Sequence, residues 1–212
     1  LAERMFDEMS AHPFMRTMWK PRLINALHWI EEQTDRLAGD GREVLSVEQK
    51  GEVNVDGIRI HGRADRIDKL ADGTLAIVDY KTGTPPSGKM VEQGFALQLG
   101  LLGLIAQGGG IAGVAGEPSH FEYWSLGRTK KGGFGYMKSP VKGAGARSGI
   151  PLEDFLPEAE RFLREAIARW LLGNEPFTAR LNPDLPGYSD YDQLMRLDEW
   201  QGLERANAGD VA

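Results

Sequence analysis

The fold of this chain is decided by residues 62–83, which read GRADRIDKLADGTLAIVDYKTG. Two strand-like stretches, Arg63–Leu70 and Leu75–Lys81, flank the turn residues Asp72-Gly73. Asp-Gly between two such stretches is a strong β-hairpin signal, because both residues tolerate the backbone angles that tight turns need. The segment therefore predicts two antiparallel strands.

The length of this turn determines whether Asp65 and Asp79 share a face of the sheet. A strict two-residue Asp72-Gly73 loop would pair Asp65 with Tyr80 and put Asp65 on the opposite face. A three-residue loop with its glycine in the left-handed conformation would instead put Asp65 directly opposite Asp79. Their Cβ atoms would then be about 4.5–5.5 Å apart. We expect the odd-length loop or a bulge here.

The elements before and after this hairpin follow from apolar spacing and turn residues. We predict a helix that ends at Gly39, followed by strands on either side of Asp56-Gly57, a second hairpin signal. After the central hairpin, Ser87 is placed to cap a helix that runs to about Gln107. The first part of the chain therefore predicts a helix, a meander of three or four antiparallel strands, and a second helix.

The remaining elements complete an α/β arrangement. We predict a strand over residues 121–126, a long glycine-rich loop over residues 127–150, and an amphipathic helix over residues 152–172. This order of elements predicts a mixed central sheet flanked by helices. We interpret the 212 residues as a single domain, a piece of a longer protein, with a helical segment (1–40), a core (41–173) and a tail (174–212).

Composition excludes several functional classes. The chain has 212 residues with 41% hydrophobic content, which suits one compact domain rather than a disordered segment. It contains no Cys, so a thiolate nucleophile, a Cys-ligated zinc and an iron–sulfur cluster are all excluded within these residues. No apolar run reaches the roughly 18 residues of a membrane span, so we expect a cytoplasmic protein with no membrane partner.

The net charge of −6 conceals a local excess of positive charge. From Tyr123 to Leu152 the sequence has no Asp or Glu, while basic residues, aromatic residues and glycines are interleaved. Cations hold phosphates and aromatic faces stack on unpaired bases, so we predict that this stretch binds a DNA strand. The alternative is a surface loop whose lysines are solvated and bind no DNA. The residues predicted to contact DNA are Arg128, Lys130, Lys131, Tyr136, Lys138 and Lys142.

The chemistry of the hairpin rests on Asp65, Asp79 and Lys81. Two carboxylates on one face repel each other unless a cation lies between them, and oxygen ligands favour Mg²⁺ or Mn²⁺ over zinc. A neighbouring lysine can deprotonate or orient water, or neutralise charge on a phosphate. This combination is suited to phosphodiester hydrolysis. The alternative is a solvated face on which Lys81 simply pairs with either aspartate.

These residues resemble the RecB-type branch of the PD-(D/E)xK nuclease superfamily. The resemblance rests on Gly62, Ala64-Asp65-Arg66-Ile67-Asp68, a turn, Ile77-Val78-Asp79-Tyr80-Lys81-Thr82-Gly83, and Gln98 on the next helix. Within that branch the chain resembles most closely the C-terminal nuclease domain of the AddB family, which forms helicase–nucleases with AddA-type subunits.

The resemblance implies a restriction-endonuclease-like core and a site. Asp65 and Asp79 would be metal ligands, the carbonyl of Tyr80 a third ligand, and Lys81 the catalytic lysine. Gln98 would touch DNA or a catalytic water. The implied activity is that of a Mg²⁺-dependent exonuclease, for which Mn²⁺ can substitute, acting mainly on single-stranded DNA. The implied role is DNA repair and recombination at double-strand breaks, with an AddA-like subunit as partner.

Two departures from the family pattern, at the Tyr of one motif and at the metal-binding His, motivate a second hypothesis. The Gln of the family's QxxxY motif is Gln98, but the Tyr position holds Leu102, which has no hydroxyl. The family's upstream metal-binding His has no match, and the cysteines of the iron–sulfur cluster that many members carry are absent. The alternative is therefore a catalytically impaired module for DNA binding or complex assembly.

Overall fold

The computed structural model describes the backbone of residues 13–129 and 132–176, and the side chains from residue 19 onward within those ranges. The chain divides into two compact units, Leu1–Ile167 and Ala168–Ala212. Most of the predicted tail, together with Lys130 and Lys131, lies outside the described residues.

The first unit is built from helices on a five-stranded sheet. The helices are α1 (Pro13–Gly39), α2 (Gly88–Glu92), α3 (Gln98–Gln107) and α4 (Leu152–Ala166). The strands are β1 (Glu43–Val55), β2 (Ile58–Lys69), β3 (Leu75–Lys81), β4 (Pro118–Arg128) and β5 (Phe134–Lys138). The helix predicted to reach residue 172 ends as α-helix at Ala166 and continues as a π-helical turn, Ile167–Leu171.

The sheet has the order β1-β2-β3-β4-β5. Strands β1, β2 and β3 form the antiparallel meander predicted from the sequence, and β4 and β5 are also antiparallel. Strands β3 and β4 are parallel, with α2 and α3 in the connection between them. A parallel pair needs such a crossover, and the prediction of a mixed sheet flanked by helices is confirmed.

Both hairpin turns have the predicted chemistry. Asp56 and Gly57 have φ angles of 51° and 81°, as a tight turn with two left-handed residues requires. In the central hairpin the Leu70 N–H donates to the Thr74 carbonyl over 2.8 Å, and Gly73 has a φ of 85°. The loop therefore has the predicted odd length.

Two predicted elements are wrong in detail. The single helix expected from Ser87 to Gln107 is broken between α2 and α3, because Gly94 adopts a φ of 77° and ends α2. Ser87 does cap α2, since its Oγ accepts a hydrogen bond from the Met90 N–H over 3.3 Å. The expected loop over residues 127–150 contains strand β5, which pairs with β4 and has only five residues.

The two faces of the sheet are covered by different helices. On one face Phe121 and Tyr123 of β4 join a core cluster that includes residues of α3 and α4. On the other face the ring of Trp124 meets Trp29 of α1 edge to face, with centroids 5.6 Å apart. Successive side chains of a strand alternate between faces, so β4 contributes to both layers.

The α1 face also holds a buried ionic network. Asp68 is fully buried and accepts hydrogen bonds from Arg42 and from Arg66, each over 2.6 Å. Arg42 also binds Glu122 of β4, over 2.9 and 3.1 Å, and Arg66 donates to Thr34 of α1 over 2.7 Å. Buried charges need partners. Here the partners lie on different elements, so the network joins α1, β2 and β4.

Within the described ranges, no helix combines the length and the apolar character that crossing a membrane requires.

Candidate active site

The predicted site residues meet where β3 ends and α3 begins. Asp79 and Lys81 lie among the last three residues of β3, and Gln98 is the first residue of α3. The β2–β3 register pairs Arg66 with Val78 and Ile67 with Ile77. Continued by one residue, this register places Asp65 opposite Asp79.

Gln98 links the lysine to the buried aspartate. Its Nε2 donates to Asp79 Oδ1 over 2.6 Å, and its Oε1 accepts from Lys81 Nζ over 2.7 Å. Lys81 Nζ also lies 2.7 Å from Asp79 Oδ2 as an ion pair. The three side chains therefore form a closed triangle in which each orients the other two.

Asp79 is a buried carboxylate whose charge is opposed by a single ion pair, with Lys81, among the described residues. The residue is 2% exposed, and within the described part of the chain no donor meets its Oδ2 at hydrogen-bond geometry. Burial raises the pKa of Asp79, an effect that the neighbouring Lys81 opposes and the charge of Asp65 reinforces. The face is thus not the solvated surface of the alternative hypothesis, although the ion pair with Lys81 that this hypothesis expected is present.

Asp65 is held by the backbone of the facing strand. Its Oδ2 accepts a hydrogen bond from the Tyr80 N–H over 3.0 Å, which fixes the carboxylate beside Asp79. The Tyr80 ring packs edge to face on Trp124, with centroids 5.8 Å apart, on the α1 side of the sheet. Tyr80 can therefore offer the site only its main chain, as the predicted carbonyl ligand requires.

The donor set fits a hard divalent cation. Among the described residues no three His, Cys, Asp or Glu side chains form a metal-binding group, so Asp65 and Asp79 supply two carboxylates without a third. Mg²⁺ commonly binds through one or two carboxylates and keeps several waters. The Oδ2 of Asp79, which the Lys81 ammonium meets over 2.7 Å, is an oxygen that a divalent cation could share. An iron–sulfur cluster has no ligands, since the sequence has no Cys.

Tyr123 belongs to the site and was missed by the sequence reasoning. The parallel register pairs it with Asp79, and Lys81 Nζ lies 5.6 Å from the centre of its ring. Burial raises the pKa of the Tyr123 hydroxyl, and the charge of Asp79 adds to this effect. Only the β3–β4 register brings Tyr123 to the site, and a register between distant strands has no local sequence signal. Leu102, at the family's Tyr position, is instead buried in the core.

The predicted DNA-binding residues that the structure describes lie on and after the β4–β5 hairpin. Arg128 ends β4, Tyr136 and Lys138 lie in β5, and Lys142 follows it. Lys138 has a structural contact, because its Nζ donates to the Pro86 carbonyl over 2.7 Å. It pairs with Tyr123, which pairs with Asp79, so β5 lies two strands from Asp79 and three from Asp65. DNA binding by this group stays a prediction.

The fold and the site together define a nuclease-like α/β domain. A sequence model of the PD-(D/E)XK nuclease superfamily matches residues 1–184. The chain therefore belongs to the PD-(D/E)XK nuclease superfamily, and its mixed sheet with flanking helices is the restriction-endonuclease-like fold of that family.

Individual similar proteins add little to this assignment. An uncharacterized protein of Rickettsia bellii (strain RML369-C) is 45% identical over 56 residues, which cover 24% of this chain and 7% of that protein. A solved structure described as "Crystal structure of SSO0001" overlaps 76% of this chain and 70% of that chain, with 17% identity and a TM-score of 0.34. Neither match indicates a substrate.

Proposed function

We propose that this chain is a Mg²⁺-dependent deoxyribonuclease domain that hydrolyses phosphodiester bonds in single DNA strands. One observation carries the proposal: the buried carboxylate of Asp79 lies beside Asp65 and is paired with the Lys81 ammonium over 2.7 Å. Burying a carboxylate costs stability, and such costs are retained mainly where function needs them.

Each residue of the proposed site has a separate role in the hydrolysis. Asp65 and Asp79 hold the metal, which when bound supplies positive charge to the phosphate and lowers the pKa of a water. Lys81 Nζ, 29% exposed at the side-chain level and paired as an ammonium with Asp79, orients the attacking water, whose proton passes to solvent, or neutralises the charge that develops on the phosphate. Gln98 orients the side chains of Lys81 and Asp79 through its two hydrogen bonds. Water adds to phosphorus, the bond to the leaving sugar oxygen breaks, and that oxygen takes up a proton.

The finer context of the proposal comes from the motif resemblance. The order of Asp65, Asp79, Lys81 and Gln98 supports an AddB-like exonuclease domain that acts with an AddA-like helicase–nuclease subunit. We propose that it processes strands during double-strand break repair and recombination in the cytoplasm. The DNA strand would lie along the β4–β5 hairpin, whose described basic residues include Arg128 and Lys142.

A second function is favoured by Leu102. Its side chain is 5% exposed and packs in the core, so it brings no hydroxyl to the site. A site with two carboxylates and no third metal-binding side chain in the described ranges suits a module that binds DNA or a partner subunit without cutting. Such a module would keep its affinity for DNA when Lys81 is removed and would show no metal-dependent cleavage.

The test is cleavage of end-labelled single-stranded DNA in Mg²⁺ and in chelator. We expect cleavage only with metal, and a loss of about 10²–10³-fold in Lys81→Ala, the usual cost of removing one group that stabilises developing charge. Gln98→Ala is expected to cut about 10-fold more slowly, the scale of one hydrogen bond to a charged group.

The matched control is Gln107→Ala at the other end of α3, where the amide donates to Glu117 on the surface over 2.6 Å. This variant should cleave like wild type. Metal-independent cleavage, or equal rates in wild type and Lys81→Ala, would contradict the proposal.

A further inference from the structure

Phe95 presents an aromatic ring to solvent in the connection between α2 and α3. Its exposed fraction is 54%, and it precedes Gln98 by three residues. A single exposed apolar residue is ordinary on a protein surface. The position of this ring and the rigidity of its support are what distinguish it.

The backbone that carries Phe95 is tied to α2. The Phe95 N–H donates to the Met90 carbonyl over 2.8 Å, and the Gly94 N–H donates to the Val91 carbonyl over 3.0 Å. With Gly94 at a φ of 77°, these bonds form a Schellman motif, in which the residue at the Phe95 position usually packs back on the helix. Here more than half of the residue stays exposed to solvent.

The same loop also packs against α4. A Cβ added to Gly94 would lie 2.7 Å from Cδ1 of the Phe162 ring, so the main chain sits directly on that ring. A phenylalanine has only two side-chain torsions, and its loop cannot move without breaking the helix cap or this contact. Phe95 is therefore a preorganised ring rather than part of a mobile loop, and preorganisation favours binding.

The ring also lies close to the reacting groups. Phe95 precedes Gln98 by three positions, so their Cα atoms are at most about 11 Å apart. Gln98 touches both Asp79 and Lys81. On the side of Lys81, residues 82–84 are exposed, and they are two threonines and a glycine.

We propose that Phe95 stacks on an unpaired base next to the phosphate that the site holds, so that it selects single-stranded DNA. The inference rests on the proposed function and deepens it by naming the group that recognises the strand. Stacking on an aromatic side chain is tolerant of sequence, because every base has a π-face. In a duplex those faces are covered by neighbouring base pairs, so the ring would find a partner only in unpaired DNA.

The experiment measures DNA binding without metal, so that binding is separated from cleavage. A short labelled thymidine oligonucleotide is compared, by fluorescence anisotropy in chelator, with the same sugar–phosphate backbone lacking all bases. Phe95→Ala is expected to weaken binding of the thymidine oligonucleotide about 5- to 100-fold, the range for one base–aromatic stack. Phe95→Trp, which keeps a ring, is expected to bind as wild type does.

The base-free strand makes the test specific. Wild type and Phe95→Ala should bind it equally, since no base is present to stack. Val47→Ala removes another exposed apolar side chain, 59% exposed on β1, and should change neither affinity.

Equal binding of the thymidine oligonucleotide by wild type and Phe95→Ala, an equal loss on both strands, or no binding by wild type would overturn the proposal. Base-dependent binding through Phe95 without metal-dependent cleavage would overturn the nuclease function and leave the stacking intact. Cleavage by wild type with no effect of Phe95→Ala on binding would do the reverse.

Discussion

At the scale of single residues, the fold disfavours the charged form of Asp79, which is the form that the proposed metal site needs. Burial raises its pKa, so the folded state holds a proton that the unfolded state releases at the ordinary carboxyl pKa of 3.8. Stability therefore falls as the pH rises from that value through the raised pKa, and the full cost persists at neutral pH. The charge needed to hold a cation is the charge that the fold disfavours.

We predict that Asp79→Asn is more stable than wild type at neutral pH, although it no longer cleaves DNA. The neutral amide removes the cost of the buried charge, and it should flatten the decline in Tm as the pH rises above 3.8. Thermal unfolding in chelator between acidic and neutral pH measures this.

Asp72 provides a control of opposite sign. Hydrogen bonds from Thr74 lower the pKa of this exposed carboxyl, so its charge supports the fold. Asp72→Asn should leave Tm at neutral pH unchanged or lower it. An Asp79→Asn variant with a lower Tm than wild type would show that the charged form of Asp79 is favoured by the fold.

At the scale of elements, helix α3 is positioned by its glycines. A Cβ added to Gly100 would lie 2.6 Å from the Cβ of Ala159 in α4, and a Cβ at Gly103 would lie 2.7 Å from Leu156. These close approaches let α3 lie against α4 while its first residue, Gln98, reaches Asp79. The packing of two helices thus fixes a side chain of the site.

We predict that Gly100→Ala destabilises the domain and slows cleavage. Alanine improves helix propensity by about 1 kcal/mol, but overpacking a helix contact costs about 1–3 kcal/mol. Gly39→Ala, in a helix where an added Cβ meets nothing within 4 Å, should be neutral or stabilising. Thermal unfolding compares them, and the double variant Gly100→Ala/Ala159→Gly should recover most of the loss. A more stable Gly100→Ala variant would refute close packing here.

The elements that could be predicted from the sequence are those with local causes. Asp56-Gly57 and Gly73 specify their turns by backbone conformation, so the hairpins and the register that brings Asp65 to Asp79 could be predicted. The break at Gly94 was missed because a glycine inside a helical pattern is usually tolerated. Tyr123 was missed because it reaches the site through pairing with a strand distant in sequence.

At the scale of the whole molecule, the α1 face is held by charge as well as by apolar packing. Asp68 accepts from two guanidinium groups, and Arg42 carries the network on to Glu122. Burial acts to raise the pKa of Glu122, but the hydrogen bonds and charge of Arg42 outweigh it and lower this pKa. The charged form of Glu122 therefore contributes to the stability of the fold. This contribution is present above the ordinary pKa of 4.5 and is lost as the pH falls through the lowered pKa.

We predict that Asp68→Ala lowers the free energy of unfolding by about 3–5 kcal/mol, the cost of breaking a buried ionic group from one side. Arg42 and Arg66 would each lose a hydrogen bond in a buried position. Glu158→Ala, which removes a surface pair with Arg161 on α4, should change stability little. Urea unfolding measures both, and equal effects would show that the network is not needed to hold α1 on the sheet.

Net charge is a poor guide to function in this molecule. The acidic total of −6 includes the two carboxylates of the proposed metal site, the buried Asp68 and the partly buried Glu122 of the network. The proximity of Asp79 and Lys81 could be predicted because a spacing of two residues in a strand puts both side chains on one face. The exposure of Phe95 could not, since it depends on how α2 ends.

The central claim is that Asp65 and Asp79 form one divalent-metal site at the end of β3. Anomalous diffraction from crystals soaked in Mn²⁺ tests it most directly. We expect a single strong peak within bonding distance of an oxygen from each aspartate, and loss of that peak in crystals of Asp79→Asn. Absence of a peak between the two aspartates, or a peak that persists in Asp79→Asn, would contradict it.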